Sequence, residues 1–95
     1  MRFEWNESKS RTNLRKHGIS FELAAEVFSD PFCLTIPDPK IQEEQRFWTI
    51  GRIAKLAVVL LVYTICEKDG EEIIRIISAR KATPRERRFY EEVDG

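Results

Sequence analysis

The sequence predicts a single α+β domain in which N-terminal helices pack on an antiparallel sheet of three or four strands and a further helix ends the chain. Three observations predict this fold. Helix start and stop residues bracket residues 6–18, an uncharged run fills residues 56–66, and an isoleucine-rich run at 73–80 leads directly into another helix start. A chain of 95 residues supports one hydrophobic core, so we expect one domain.

The N-terminal third is predicted to be mainly helical. Residues 2–5 alternate polar and apolar side chains, which indicates a short strand or an extended lead-in. Asn6 can cap a helix from Glu7 to His17, and Gly18 is a typical left-handed stop. This helix has almost no apolar face, so we expect it to face solvent or to be present for its charges. Ser20 can cap a second helix, residues 21–28, whose broad apolar stripe predicts packing against a sheet.

Four strands are predicted in the middle of the chain, at residues 32–36, 46–53, 56–66 and 73–80, and the first of them is expected to be a core strand. The third of these is hydrophobic almost throughout, which predicts a central strand covered on both faces. Asp69 and Gly70 form the dipeptide of a type I′ turn, so we expect the last two strands to form a hairpin. From strand alternation we expect Ile76, Ser78 and Arg80 to share one face.

The start of the last helix is marked three times. Thr83 offers a capping oxygen, Pro84 suits the first helical position, and Glu86 stands three residues after the cap, where it can close a capping box. Six basic residues and one acidic residue lie between positions 75 and 88, namely Arg75, Arg80, Lys81, Arg85, Arg87 and Arg88 against Glu86. Positive charge at a helix N-terminus predicts a surface that binds anions.

Charge is segregated along the chain although the formal net charge is zero. Residues 1–18 carry five basic and two acidic groups, whereas residues 19–45 carry one basic and six acidic groups. A zero net charge argues against indiscriminate binding to nucleic acid. A fold that brings the N-terminal segment beside residues 75–88 would nevertheless form one basic face.

Metal binding and membrane insertion are not expected. Cys33 and Cys66 are isolated and His17 is the single histidine, so the usual spacing of a zinc site is missing and free thiols of a cytosolic protein are indicated. The longest uncharged run is far shorter than the roughly 20 residues of a membrane span. No signal peptide is visible, and we expect a cytoplasmic protein without a cofactor.

Residues 75–90, RIISARKATPRERRFY, resemble the C-terminal signature of the BrnT toxins of bacterial type II toxin–antitoxin systems. The rest of the chain agrees with that family in order, at Phe3, Trp5, Lys9, Asn13, the KHG of residues 16–18, Phe21, Glu22, Phe28, the E-x-R of residues 44–46, Gly51 and the VYT of residues 62–64. Asn6 departs from the aspartate that the family more often shows. The resemblance implies a RelE/ParE-like fold, a ribonuclease activity that inhibits translation, and a hetero-oligomer with a BrnA-like antitoxin.

Metal-independent RNA cleavage uses the neighbouring 2′-hydroxyl as nucleophile and needs a base, cations on the phosphate and a proton for the leaving oxygen. We expect Arg46 and Arg80, each near a strand end, to bind the phosphate and Lys9 or His17 to transfer the proton. His17 could instead only complement the helix dipole. Tyr63 is a further catalytic candidate, although a core position for its ring is the more common case.

The remaining candidates are binding residues. Arg75, Lys81, Arg85 and Trp48 are expected to contact RNA, and Arg87, Arg88 and Tyr90 are expected to contact the antitoxin. The alternative function is a non-catalytic interaction module that binds its antitoxin or another cellular target. The two hypotheses differ in one structural expectation, because a nuclease needs the positive N-terminal helix to lie across from Arg46 and Arg80.

Overall fold

The computed structural model describes residues 1–40, 43–54 and 57–94, and its elements confirm the α+β class. In chain order these residues form β1 (Arg2–Glu4), α1 (Glu7–His17), α2 (Phe21–Ala24), a 3₁₀ helix (Ala25–Ser29), β2 (Leu34–Pro37), β3 (Arg46–Arg52), β4 (Val58–Lys68), β5 (Glu71–Lys81) and α3 (Pro84–Asp94). The helix predicted at 21–28 is therefore α-helical for one turn and then continues as a 3₁₀ helix. None of the helices in these ranges is long and apolar enough to cross a membrane.

The described strands form one mixed sheet in the order β1-β5-β4-β3-β2. β2 to β5 form an antiparallel meander, as expected, and β4 is central. The strand count is larger than predicted because β1 joins β5 in parallel, with Phe3 opposite Ile74. Three residues are too few for periodicity to reveal such a pairing. β2 is an exposed edge strand and not the core strand that residues 32–36 suggested, and the predicted start of β4 at Leu56 lies outside the described residues.

The hairpin between β4 and β5 confirms the turn prediction, since Asp69 and Gly70 both have positive φ, 53° and 77°. The two strands change register between Val62 and Tyr63. Val62 pairs with Ser78 and Tyr63 pairs with Ile76, so Ile77 is the extra residue of a β-bulge. The bulge reverses the alternation of side chains. Ile76 therefore faces the opposite side from Ser78 and Arg80, and the prediction of one shared face is wrong.

The helical layer on the first face of the sheet covers the larger core. Phe21, Val27 and Ile19 pack there against side chains of β4 and β5, with Leu61 and Tyr63 among them. Gly51 of β3 allows the 3₁₀ helix to approach closely, because a Cβ at this position would lie 3.2 Å from both the Cβ and the carbonyl oxygen of Val27.

α1 docks on this layer through hydrogen bonds, which explains its lack of an apolar face. Its buried residues are Ser10 and Asn13. The Asn13 amide nitrogen donates to the carbonyl oxygens of Ile19 and Ala79, both at 2.8 Å, and its oxygen accepts from the Ala79 N–H at 3.3 Å. Ser10 accepts from the N–H of Phe21 at 3.0 Å. The charged side chains of α1 are consequently on its outer side.

α3 packs on one end of the second face. Tyr90 is 1% exposed and lies against Ile50, Val58 and Leu60. Its hydroxyl donates to a carboxylate oxygen of Asp30 at 2.5 Å, and Asp30 also accepts from the backbone N–H of Arg52 at 2.8 Å. Burial raises the pKa of Tyr90 to about 12, and the bond to Asp30 adds to this effect. α3 is therefore tied to both the 3₁₀ helix end and β3.

Both long helices begin as the sequence predicts. The Asn6 side chain accepts from the N–H of Lys9 at 3.0 Å, and Gly18 ends α1 with φ 73°. Thr83 and Glu86 form the reciprocal capping box, with bonds of 2.9 Å and 3.2 Å. Local side-chain chemistry alone fixes these helix ends.

Candidate active site

Four side chains form a row across the second face of the sheet, beyond the end that α3 covers. Glu4 of β1 pairs with Arg75 of β5, which pairs with Thr64 of β4, which pairs with Arg46 of β3. Directly paired residues project from the same face of a sheet. Arg46 and Arg75 are two strands apart, so their Cα atoms are about 10 Å from each other. Two arginines on rigid strands therefore flank Thr64.

Thr64 is 4% exposed, and its Oγ1 is the one buried side-chain oxygen or nitrogen without a hydrogen-bond partner in the described part of the chain. A buried hydroxyl left unpaired costs about 1–3 kcal/mol. Unpaired buried polar groups are uncommon, and functional sites are among the places where they are found. Its position between two arginines marks this row as a candidate site.

Arg75 is held by Glu4 at the end of the row. Nε and Nη2 of Arg75 donate to the same oxygen of Glu4, Oε1, at 3.2 Å and 2.8 Å. The hydrogen bond from Arg75 lowers the pKa of Glu4, and the bond to Glu4 raises the pKa of Arg75. Both side chains remain accessible, with 54% of Arg75 and 35% of Glu4 exposed. The pair is therefore ionised, oriented and in contact with solvent.

Three shallow cavities meet at Ile77, the residue that the bulge inserts. The first, of about 410 Å³, is bordered by Arg46, Thr64 and Arg75. The second lies between Arg75 and Lys9, and the third follows α1 from Lys9 to His17. We call the surface formed by these three neighbouring cavities, which is bordered by Arg46, Arg75, Ile77, Lys9, Lys16 and His17, the basic groove. It joins one face of α1 to the arginine row of the sheet.

Most cations of the basic groove are available to an anion, whereas Arg75 is paired with Glu4. Lys9, Lys16 and Arg46 form no ion pair with any residue that the structure describes. Glu43 and Glu44 border the first cavity, and Glu44 acts on Arg75 through space. The groove is therefore cationic along α1 and mixed in charge where it ends at β3.

The two candidates for proton transfer lie at different ends of α1. Lys9 and His17 are eight residues apart, which corresponds to about 12 Å along a helix. Lys9 borders the cavity that contains Glu4 and Arg75, whereas His17 borders only the cavity along α1. Of the two candidates, Lys9 alone borders the same cavity as Arg75.

Arg80 was expected to bind phosphate, but its charge is already engaged. Its two terminal nitrogens donate to the two carboxylate oxygens of Glu86 at 2.7 Å and 3.0 Å. The bond from Arg80 lowers the pKa of Glu86, which also accepts from the N–H of Thr83. Arg80 thus completes the capping box of α3 and stands outside the basic groove.

Tyr63 and Trp48 are also placed in packed surroundings. Tyr63 is 2% exposed on the first face, where its hydroxyl bonds to that of Thr49 at 2.7 Å. Trp48 is partly buried against the cluster that contains Tyr90. The hydroxyl of Tyr63 has no access to a substrate in this arrangement, and we do not retain it as a catalytic candidate.

The other basic candidates are exposed away from the row. Arg85, Arg87 and Arg88 lie on the surface of α3, and Lys81 ends β5 on the first face. Tyr90 is buried, so its predicted role as an antitoxin contact is wrong, because α3 turns this ring into the core. Its neighbour Phe89 is 45% exposed. In the described ranges no three or more His, Cys, Asp or Glu side chains are grouped so as to hold a metal ion.

Sequence patterns did not reveal three members of the site. Glu4 was treated as part of a short lead-in, Thr64 as part of an uncharged strand, and Ile77 as an ordinary strand residue. Only the pairing of β1 with β5 and the bulge in β5 bring them beside Arg75. The alternation around Phe3 and Trp5 indicated an extended segment that includes Glu4, but it does not identify the partner strand.

Comparison with known proteins agrees with the resemblance seen in the sequence. A family model described as the ribonuclease toxin, BrnT, of type II toxin–antitoxin systems matches residues 5–86. The crystal structure of the Brucella abortus ribonuclease toxin BrnT is similar to this structure, with a TM-score of 0.62 and 27% sequence identity over 87% of this chain and 97% of that one. No curated protein sequence matches the chain significantly. The chain therefore belongs to the BrnT family, the ribonuclease toxins of type II toxin–antitoxin systems.

Proposed function

We propose that this toxin cleaves RNA in the basic groove, without a metal, by attack of a 2′-hydroxyl on the adjacent phosphate. The observation that carries the proposal is the row in which Arg46 and Arg75 flank the unpaired hydroxyl of Thr64. Lys9 of α1 borders the same depression. The proposed location of the toxin is the cytoplasm, where it would meet its RNA substrate.

Arg46 and Arg75 are proposed to bind the phosphate that is cut. A guanidinium can donate two parallel hydrogen bonds to phosphate oxygens. Both arginines project from paired strands, so their backbone positions are fixed before the substrate binds. Such preorganised donors stabilise the charge that grows in the transition state, and loss of one typically slows a reaction by about 10² to 10³.

Lys9 is proposed to give a proton to the leaving 5′-oxygen, because it borders the cavity that contains Arg75. Lys16 and His17, about 10 to 12 Å further along α1, would bind the next part of the RNA backbone. This assigns the two proton-transfer candidates different roles. Lys9 acts at the cut phosphate, and His17 contributes to affinity.

The test uses a short RNA and the same RNA with a single 2′-deoxy nucleotide at the cleavage position. We expect cleavage of the first only, a 2′,3′-cyclic phosphate on the product, and no effect of a chelator. Arg46→Ala and Arg75→Ala should each lower the rate by at least about 100-fold. Arg88→Ala, an exposed arginine on α3, is the matched control and should leave the rate unchanged. Cleavage of the 2′-deoxy substrate would contradict the mechanism.

A BrnA-like antitoxin is the proposed partner, in a hetero-oligomer. Arg87 and Arg88 remain proposed contacts, since both are exposed on α3 and no described residue pairs with them. Phe89 adds an exposed aromatic ring to the same helix. Isothermal titration calorimetry with the antitoxin should show weaker binding for the double variant Arg87→Ala, Arg88→Ala. Arg15→Ala on α1 serves as the control and should bind like the wild type. Equal affinities would place the contact elsewhere.

A further inference from the structure

Glu4 is the carboxylate of the arginine row, and one of its two oxygens is available. Both bonds from Arg75 end on Oε1, and no described residue donates to Oε2. The side chain is 35% exposed and borders the cavity between Arg75 and Lys9. We infer that Glu4 is the general base that takes the proton of the attacking 2′-hydroxyl, an inference that rests on the proposed function of the basic groove.

Geometry favours Glu4 over the other carboxylates near the groove. Glu43 and Glu44 border only the cavity beside Arg46, and neither accepts a hydrogen bond from a described residue that would fix its direction. Glu4 lies on a strand, in register with Arg75, and two hydrogen bonds orient its carboxylate. A general base must be held within hydrogen-bond reach of the proton that it removes. Among these three acids, Glu4 alone is held in this way.

The carboxylate of Glu4 is in the deprotonated form that a general base requires. Its hydrogen bond with Arg75 lowers its pKa, and Lys68 and Arg2 act in the same direction through space. The carboxylate is therefore ionised at neutral pH and can accept a proton. The bond also joins the base to a phosphate-binding arginine, so that the attacking hydroxyl and the phosphate are positioned together.

The step is balanced as follows. The 2′-hydroxyl proton passes to Oε2 of Glu4 while the 2′-oxygen forms a bond to phosphorus. The bond from phosphorus to the 5′-oxygen breaks, and the leaving oxygen takes a proton from the ammonium group of Lys9. The products are a 2′,3′-cyclic phosphate and a 5′-hydroxyl, and exchange with water returns Glu4 and Lys9 to their starting states. No oxidant, reductant or metal is needed.

Glu4→Gln is the first test variant, since its amide oxygen can still accept a bond from Arg75. We expect the cleavage rate at saturating RNA to fall by about 10² to 10⁴. Affinity for the uncleavable 2′-deoxy RNA, measured by fluorescence anisotropy, should stay within about threefold of the wild-type value. The midpoint of thermal unfolding should stay within a few degrees of that of the wild type. Glu71→Gln is the matched control, because Glu71 pairs with Arg2 at 4.0 Å across the same two strands. Its rate should be unchanged.

A second measurement separates a base from a residue that only positions Arg75. Glu4→Gln is introduced into the Arg75→Ala variant and both rates are measured. A base should still matter without the arginine, so we expect a further loss of at least tenfold. No further loss would assign Glu4 a positioning role only, and a wild-type rate for Glu4→Gln would exclude it from the reaction. If wild-type toxin cleaves the 2′-deoxy substrate or yields no cyclic phosphate, the proposed function itself fails.

Discussion

Replacing Asn13 with Ala should destabilise the toxin although Asn13 is a polar residue on a mostly charged helix. The side chain makes three buried hydrogen bonds to the backbone, two to Ala79 and one to Ile19. At about 0.5–1.5 kcal/mol for each bond, their loss costs about 3 kcal/mol. The better helix propensity of Ala returns about 0.6 kcal/mol. We therefore expect a net loss of about 2–3 kcal/mol in the free energy of unfolding.

Urea unfolding followed by circular dichroism measures this loss, with Arg11→Ala as a control on the exposed side of the same helix. The control should change stability by less than about 0.5 kcal/mol. The Asn13→Ala variant should also cleave RNA poorly at temperatures where it remains folded, because α1 carries Lys9. A loss below about 1 kcal/mol would refute the reasoning, since it would mean that water replaces the amide without cost.

Three further substitutions test other parts of the structure. Thr64→Val removes an unpaired hydroxyl at constant volume, so it should raise the free energy of unfolding by about 1 kcal/mol in urea titrations, and a decrease would show that the hydroxyl has a partner. Arg80→Ala should lower stability because Glu86 loses its bidentate partner. Unlike Arg75→Ala, it should leave the cleavage rate near that of the wild type. A rate loss as large as that of Arg75→Ala would return Arg80 to the active site. Tyr90→Phe should cost about 1–2 kcal/mol at neutral pH. Burial alone would raise the pKa of Asp30, but hydrogen bonds from the Arg52 backbone and from Tyr90 lower it. The stability that these hydrogen bonds contribute is therefore fully present above the ordinary pKa of 3.8 and is lost as the pH falls through the lowered pKa. The difference between wild type and Tyr90→Phe should therefore shrink in acid, and a constant difference from pH 7 to pH 2 would contradict the assignment.

Local signals in the sequence were reliable where a few neighbouring residues decide the structure. Asn6 and Gly18 delimit α1, and Asp69 and Gly70 form the turn of the long hairpin, because capping and positive φ depend on the residues themselves. The capping box of α3 was predicted for the same reason, by Thr83.

The site was less predictable because it depends on pairing between distant segments. The sequence did not reveal that Arg80 is paired, because its partner Glu86 was recognised only as the carboxylate that caps α3. The prediction that Ile76 shares a face with Ser78 and Arg80 was wrong because an unbroken isoleucine-rich run gives no sign of a β-bulge. Arg46 and Lys9, chosen by charge and position, stay proposed site residues and both border the basic groove. Glu4 and Thr64, which lie between them, could be found only from the sheet register.

The shortness of β1 and the polarity of α1 together explain how Lys9 comes to border the same cavity as Arg75. β1 ends at Glu4, so its pairing with β5 stops at Arg75. Beyond that point the amide of Asn13 takes the place of a strand, because it bonds to both the N–H and the carbonyl of Ala79 on β5. α1 is therefore fixed to the sheet at Asn13, and its N-terminal end follows directly from β1. Lys9 lies between these two attachments, one helical turn before Asn13. An apolar helix that could slide on its neighbours would not place Lys9 at the border of this cavity with the same accuracy.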